Sequence, residues 1–274
     1  MPNREVNMNF LKYLLLSAVI SGIMIGCAGY PSSERTISAD PVMDVEVPDE
    51  LKKVISVHKF EDRSINTTQY NPWKMGIPDM VMQSLSAMPY FKVISREYIQ
   101  QQVIEEQQFQ LLGLTDDAAA VEIGRLLNAD YIVSGAFSVY EEILQVNARC
   151  ISVETGEIVS QVQSSGELRS FYILQNQVAV EIAENMNLYV SDEARTNLNQ
   201  RADTRVIEAS LSNYQGEEKL ETLALLESQG QRQKIEEMKE AAREDFERAL
   251  SFDSDYEKAK RNLSKLALSI PMTL

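Results

Sequence analysis

The stretch that decides the fold is residues 130–168, DYIVSGAFSVYEEILQVNARCISVETGEIVSQVQSSGEL. Apolar and polar residues alternate along it, and β-branched residues are frequent, which predicts strands at 130–140, 143–153 and 158–168. The turn before the third strand contains Gly156, which supplies the positive φ that a tight hairpin needs. These residues predict an antiparallel meander of three strands.

The residues before the meander alternate between strand and helix patterns. We predict strands at 54–60 and 91–94, and helices at 74–88, at 96–112 and from a cap at Thr115 to about 127. Pro78 fits the helix at 74–88 near its first turn, where a missing N–H costs little. A further helix is expected at 171–189. This order predicts an α+β fold with a mixed β-sheet and helices.

Cys27 ends a short apolar run that begins at residue 14 and follows the basic residues Arg4 and Lys12. A secretory signal peptide typically has a basic start, an apolar stretch and a small residue before the cleavage site. The apolar run here is shorter than the ~20 residues that a membrane-spanning helix needs. The ending Met24-Ile25-Gly26-Cys27 resembles a bacterial lipobox. The alternative is a plain signal peptide with a chance cysteine. Cys27 is the predicted lipid-attachment residue, carrying palmitate-type acyl chains, and Ala28 favours delivery to the outer membrane.

Five segments follow from these patterns. We expect a signal peptide at 1–26, a tether rich in Pro, Gly and Ser at 27–50 and an α+β domain at 51–190. A polar linker at 191–214 and a charged helical tail at 215–274 complete the chain. The net charge of −15 makes nucleic acid a poor partner. The expected partners are membrane lipid, through acylated Cys27, and envelope proteins, with a homo-oligomer possible.

No residue pattern indicates catalysis, a metal site or a cofactor. His58 is the single histidine, so we expect it to be structural, and no glycine-rich phosphate loop is present. Asp116/Asp117 and Glu141/Glu142 are adjacent pairs, whose side chains point to different faces and do not share a site. We therefore expect a protein that is not an enzyme. Loss of a catalytic turnover on substitution of His58 or Asp79 would argue for an enzyme instead.

Two other residues could be read in two ways. Trp73 is either a core residue at a helix start or an interface anchor, and we favour the core. Cys150 lies in an apolar stretch and is expected to be a small core residue. With Cys27 lipidated, no intramolecular disulfide is possible, because these are the two cysteines of the chain.

Several stretches in this order, behind the lipobox-like segment, resemble the CsgG/HfaB family of envelope lipoproteins. They are 54–60 (VISVHKF), 73–80 (WKMGIPDM), 91–97 (FKVISRE), 103–107 (VIEEQ), 113–116 (GLTD), 123–135 (IGRLLNADYIVSG) and 155–158 (TGEI). The resemblance covers about residues 52–190. It implies a non-enzymatic, periplasm-facing lipoprotein of the outer membrane that acts in assembly or secretion of surface material, curli among it.

The best-known member of that family forms a pore from added transmembrane hairpins, which would need about 40 more strand residues. The core strands already fill residues 137–168, and charged residues interrupt any lipid-facing band. We therefore expect a member without its own barrel. The similar N-terminal domain of TolB is the alternative, which would make the chain an envelope module that docks a periplasmic partner.

The tail is similar to one tetratricopeptide repeat in the spacing of Gly230, Ala242, Phe246 and Ala249. Repeat arrays need about three units for stability, and one is visible. A charged helical hairpin that packs on the domain is an equal alternative.

Overall fold

The computed structural model describes residues 35–37, 39–65, 67–96, 98–99, 116–228 and 232–268. The chain from residue 35 onwards forms one compact unit. The signal segment, Cys27, Gly230 and most of the predicted helix at 96–112, with its neighbour Thr115, lie outside the described residues.

One mixed sheet of six strands forms the centre of the unit. Its strands are β1 (Thr36–Ile37), β2 (Lys53–Asp62), β3 (Phe91–Ile94), β4 (Tyr131–Tyr140), β5 (Ile143–Ser152) and β6 (Ile158–Glu167). They lie in the order β1-β3-β2-β4-β5-β6. β2 pairs in parallel with both β3 and β4, and the other pairs are antiparallel. The predicted α+β class, mixed sheet and meander are confirmed.

The helices are α1 (Trp73–Ser86), α2 (Asp116–Leu126), α3 (Phe171–Asn185), α4 (Asp192–Gln200), α5 (Ile207–Ser228), α6 (Arg232–Phe252) and α7 (Glu257–Leu268). A 3₁₀ turn, Leu168–Ser170, joins β6 to α3. Helices α1 and α3 cover one face of the sheet, and α2 covers part of the other. This arrangement gives two apolar layers, because alternate residues of each strand point to opposite faces.

Two turns in the meander have special backbone geometry. Gly156 has φ +74°, as its place in the β5–β6 turn predicts. The two-residue turn between β4 and β5 consists of Glu141 and Glu142, with φ +45° and +64°. Such turns prefer Asn-Gly, so two glutamates there store local strain.

Helix α1 begins at Trp73, one residue earlier than the sequence pattern predicts, so Pro78 is its sixth residue and lies in the second turn. The preceding turn explains the early start, because the Trp73 and Lys74 amides donate to the carbonyls of Tyr70 and Asn71. Pro78 cannot donate to the carbonyl of Lys74, which costs one helical hydrogen bond.

The stretch 191–214 contains more structure than its polar composition suggests. Helix α4 occupies part of it, with Ser191 as a cap that accepts a hydrogen bond from the Ala194 amide. Helix α5 begins at Ile207 and continues past residue 214 into the tail. Leu211 and Tyr214 belong to the same buried core as the sheet, so the first two turns of α5 are part of the main core.

The tail forms an antiparallel hairpin of α5 and α6, against which α7 packs. Ala242, Phe246, Ala249 and Ala259 are buried in it, and Phe246 approaches the backbone of Gly216 so closely that a Cβ there would lie 2.5 Å from the ring. These contacts fit a packed helical hairpin. That the hairpin is a tetratricopeptide-type repeat stays a prediction.

Candidate functional site

A polar, largely buried cluster lies where α5 and α7 meet α1. Asp79, on α1, accepts a hydrogen bond from the ammonium group of Lys258 on α7 at 2.5 Å and from the hydroxyl of Tyr214 on α5 at 2.9 Å. The guanidinium of Arg96 lies 3.9 Å from the other carboxylate oxygen. Asp79 therefore connects three parts of the chain that are far apart in sequence.

The second half of the cluster lies between α5 and α7. Glu217 pairs with Lys258 at 3.0 Å and accepts hydrogen bonds from Asn262 at 2.8 Å and Asn213 at 3.0 Å. Asn262 also donates to the side-chain carbonyl of Asn213 at 3.1 Å. We call Asp79, Arg96, Asn213, Tyr214, Glu217, Lys258 and Asn262 the junction cluster.

Electrostatics keep the central ion pair charged. Burial by itself would raise the pKa of Asp79, but the charges of Lys258 and Arg96 and the two hydrogen bonds lower it to about 2. For Lys258, burial opposes the charged form, while Asp79 and Glu217 raise the pKa above its ordinary value. Burial, with Asp79, also raises the pKa of Tyr214. At neutral pH the junction cluster thus holds a charged, compensated pair and a neutral tyrosine.

Two further contacts fix the tail to the domain. The Trp73 indole donates to the hydroxyl of Ser210 on α5 at 3.0 Å, and its ring stacks on Phe171 with centroids 5.1 Å apart. Trp73 is fully buried, so the core interpretation of this residue is confirmed. On the sheet, Lys59 pairs with Glu221 of α5 at 2.5 Å. Helix α5 is therefore held on the domain by a buried hydrogen bond and an ion pair.

A groove of about 550 Å³ opens beside the junction cluster. Its walls come from α1, α5 and α7 and include the exposed cations Arg261 and Lys265, together with Leu220. A second groove, of about 730 Å³, crosses the sheet face that carries His58 and Arg149. His58 and Asp79 line different grooves, so the structure does not bring these two residues together.

The other residues considered from sequence have simpler roles. His58 is half-buried, and burial, with the charges of Lys59 and Arg96, lowers its pKa, so it is neutral at pH 7. Cys150 is buried in the core, as expected, and burial raises the pKa of its thiol to about 12.

The acidic pairs lie apart from the junction cluster. Glu141 and Glu142 form the exposed β4–β5 turn, and Asp116 and Asp117 begin α2. Cys27, the predicted lipid-attachment residue, lies outside the described residues.

The chemistry of the junction cluster is structural. Its two carboxylates pair with Lys258, and its tyrosine hydroxyl donates a hydrogen bond to Asp79. No activated nucleophile is among its members. Within the part of the chain that the structure describes, no group of three or more His, Cys, Asp or Glu side chains is placed to hold a metal ion. Among the same residues, no helix is both long and apolar enough to cross a membrane.

Sequence reasoning identified Asp79 only in passing and missed Tyr214, Glu217 and Lys258. All three lie in helices where charged and polar residues are common, so their spacing resembles a solvated face. A weak signal was present: Ile207, Leu211 and Tyr214 lie at the spacing of one helix face.

Comparison with known proteins gives one family. Residues 44–145 match the family described as "Curli production assembly/transport component CsgG". The resemblance to the CsgG family that the sequence motifs indicate is therefore confirmed over these residues. No curated protein sequence matches the chain.

Solved structures to which the chain is similar include three bacterial proteins. The C-terminal domain of LpoB from Salmonella enterica is 18% identical, with 43% of this chain and 84% of that chain covered and a TM-score of 0.34. TolB from Acinetobacter baumannii is 10% identical, with 56% and 29% covered and a TM-score of 0.34. A PelC dodecamer from Paraburkholderia phytofirmans is 14% identical, with 57% and 97% covered and a TM-score of 0.32.

Proposed function

We propose that this chain, with its CsgG-type domain, is a non-enzymatic lipoprotein that acts in assembly or secretion of surface material of the curli type. The observation that carries the proposal is the family match at residues 44–145 behind a signal-like segment that ends in Cys27. Acylation of Cys27 would anchor the chain in the outer membrane, with the folded part facing the periplasm. Two or more acyl chains give stable anchoring, since each buried methylene contributes about 0.8 kcal/mol.

The geometry supports a scaffold for protein binding. The junction cluster and the Trp73–Ser210 contact make the tail a fixed part of the folded unit, which therefore offers one continuous surface. Of the described residues, Cys150 is buried and Asp79 is engaged in hydrogen bonds and an ion pair.

Acylation is tested by growing cells with labelled palmitate and recovering the protein. We expect label in the wild-type chain and in Cys150→Ala, and none in Cys27→Ala. Cys150→Ala is the matched control, because it removes the other cysteine of the chain. Label that persists in Cys27→Ala would contradict the lipoprotein assignment.

A second candidate is a module like the N-terminal domain of TolB that docks one periplasmic partner. The groove beside the junction cluster favours it, because the exposed Arg261 and Lys265 lie next to the apolar Leu220. Such a wall suits a partner segment that carries both acidic and apolar side chains.

Docking in this groove is tested with the full-length protein, since a fragment that begins at residue 215 would cut α5. We expect Arg261→Glu/Lys265→Glu to abolish in-cell cross-linking to one stoichiometric partner. Lys260→Glu is the control, because Lys260 pairs with Glu257 and does not line the groove. Equal cross-linking in all three proteins would exclude the groove as the docking site.

A further inference from the structure

The turn between β4 and β5 combines exposed apolar side chains with an acidic pair. Tyr140 and Ile143 lie opposite each other at the ends of the two strands, so their side chains share one face of the sheet. They are 65% and 46% exposed. Glu141 and Glu142, between them, are exposed and form no ion pair with a described residue. We call these four residues the hairpin tip.

The backbone of the hairpin tip is held in a costly conformation. Glu141 and Glu142 have φ of +45° and +64°, a region in which Asn and Gly are the favoured residues of a two-residue turn. Residues that keep such strain cluster at functional sites, where a gain in binding offsets the loss in folding. The acidic pair therefore points to an interaction rather than to a requirement of the fold.

The acids that line the groove beside the junction cluster are engaged within the chain. Asp79 and Glu217 both pair with Lys258. Glu221, the third acid of the lining, pairs with Lys59. These carboxylates are therefore neutralised from inside and do not repel an acidic occupant.

Two cations of the same groove face outwards. Arg261 and Lys265 are exposed, and neither forms an ion pair with a described residue. Beside them, the half-buried Ile37 and Leu220 provide apolar surface. The groove thus offers two positive charges next to an apolar wall, which is the complement of the hairpin tip.

We propose that the hairpin tip of one copy of this chain docks in the groove of a second copy. Tyr140 and Ile143 cover the apolar wall, and the acidic pair meets Arg261 and Lys265. The tip is narrow enough to enter, because paired strands lie about 5 Å apart. Tip and groove are different surfaces, so the contact is head-to-tail, and each copy both inserts a tip and accepts one.

The occupant is a second copy because the chain itself carries the segment that the groove requires. An occupant must bring acidic and apolar side chains together on a narrow protrusion, and the hairpin tip does so. With a net charge of −15, most surfaces of two copies repel each other, whereas tip and groove have opposite charge. The inference rests on the second proposed function, in which this groove docks a protein, and it does not require acylation of Cys27.

Charge reversal of each surface, followed by mixing, tests the contact. Two differently tagged full-length copies are co-expressed, extracted in mild detergent, and purified through one tag. We expect Glu141→Lys/Glu142→Lys in both copies to lower co-purification at least tenfold, because like charges then oppose each other. Arg261→Glu/Lys265→Glu in both copies should have the same effect. A tip-reversed copy with a groove-reversed copy should restore co-purification, since each tip then meets a groove of opposite charge.

Two further variants are controls for net charge and for folding. Asp44→Lys/Glu46→Lys reverses two exposed acids that belong to neither surface, and it changes the net charge by the same amount. It should co-purify as the wild type does. Glu141→Asn/Glu142→Gly suits the positive-φ turn, so the reduced co-purification that we expect for it cannot come from misfolding.

Three results would overturn the inference: wild-type copies that do not co-purify, reversal of the tip without effect, or reversed copies that stay apart when mixed. A fourth result separates it from the second proposed function. If groove reversal abolishes cross-linking to a partner while tip reversal leaves it intact, the groove docks a different protein. That result overturns docking of a second copy and leaves the docking role of the groove standing.

Discussion

The ion pair between Asp79 and Lys258 is expected to hold the C-terminal helices on the domain. Replacing Asp79 by Asn removes the charge, keeps the size and leaves Lys258 with Glu217 at 3.0 Å. Two estimates give the cost. The pKa of Asp79 falls from 3.8 to about 2 on folding, which at about 1.4 kcal/mol per unit corresponds to roughly 2.5 kcal/mol. Breaking a buried pair costs about 3–5 kcal/mol, and the remaining Glu217 places this case at the lower end.

We therefore predict that Asp79→Asn lowers the free energy of unfolding by about 2–3 kcal/mol at pH 7, measured by urea titration and circular dichroism. Because the folded-state pKa lies below the unfolded one, the stabilisation is fully present above about pH 4 and is lost as the pH falls towards 2. The difference between wild type and variant should thus shrink over this window.

The control is Glu61→Gln, which breaks the exposed pair with Arg63 and should change stability by less than about 0.5 kcal/mol. A loss below this value for Asp79→Asn would refute the assigned role of the junction cluster. So would a loss that stays constant from pH 7 to pH 2.

Three further predictions concern other parts of the fold. Glu141→Asn with Glu142→Gly should stabilise the protein by about 1–2 kcal/mol by relieving the positive-φ turn, and an unchanged or lower melting temperature would contradict this. Gly216→Ala should lower the free energy of unfolding by about 1–3 kcal/mol in a urea titration, although alanine has the better helix propensity, because the alanine Cβ would meet the Phe246 ring. Adding Phe246→Leu should recover part of that loss. Cys150 should resist thiol reagents at pH 8 in the native protein and react on unfolding, since burial raises its pKa to about 12; equal rates in both states would argue against its burial.

The meander could be predicted closely from sequence because one face of each strand is apolar. Along β5, buried Leu144, Val146 and Ala148 alternate with more exposed polar residues, and this period of two is the clearest local signal of a half-buried strand. Gly156 marked its turn for the same local reason. The Glu141–Glu142 turn carried no such signal, since glutamate is not a residue that prefers positive φ.

The start of α5 could not be predicted because polar residues are buried beside its apolar ones. Ala209, Leu211 and Tyr214 are buried, but so are Ser210, Ser212 and Asn213, and these polar residues obscure the apolar period that predicts a helix. Their partners, Trp73 and Asn262, are distant in sequence. The junction cluster was missed for the same reason: a buried charge is recognisable only when its partner is known, and the partner of Asp79 lies 179 residues away.

The measurement that tests the proposed role most directly is where the protein resides in the cell. Envelope fractions of cells that express the wild type and Cys27→Ala at equal levels would be separated on a density gradient, and outward-facing protein would be detected by protease treatment of intact cells. The account predicts wild type in the outer-membrane fraction, protected from protease, and the variant free in the periplasm or retained with its signal segment in the inner membrane. Wild-type protein in the cytoplasm, or Cys27→Ala in the outer membrane to the same extent as wild type, would contradict it.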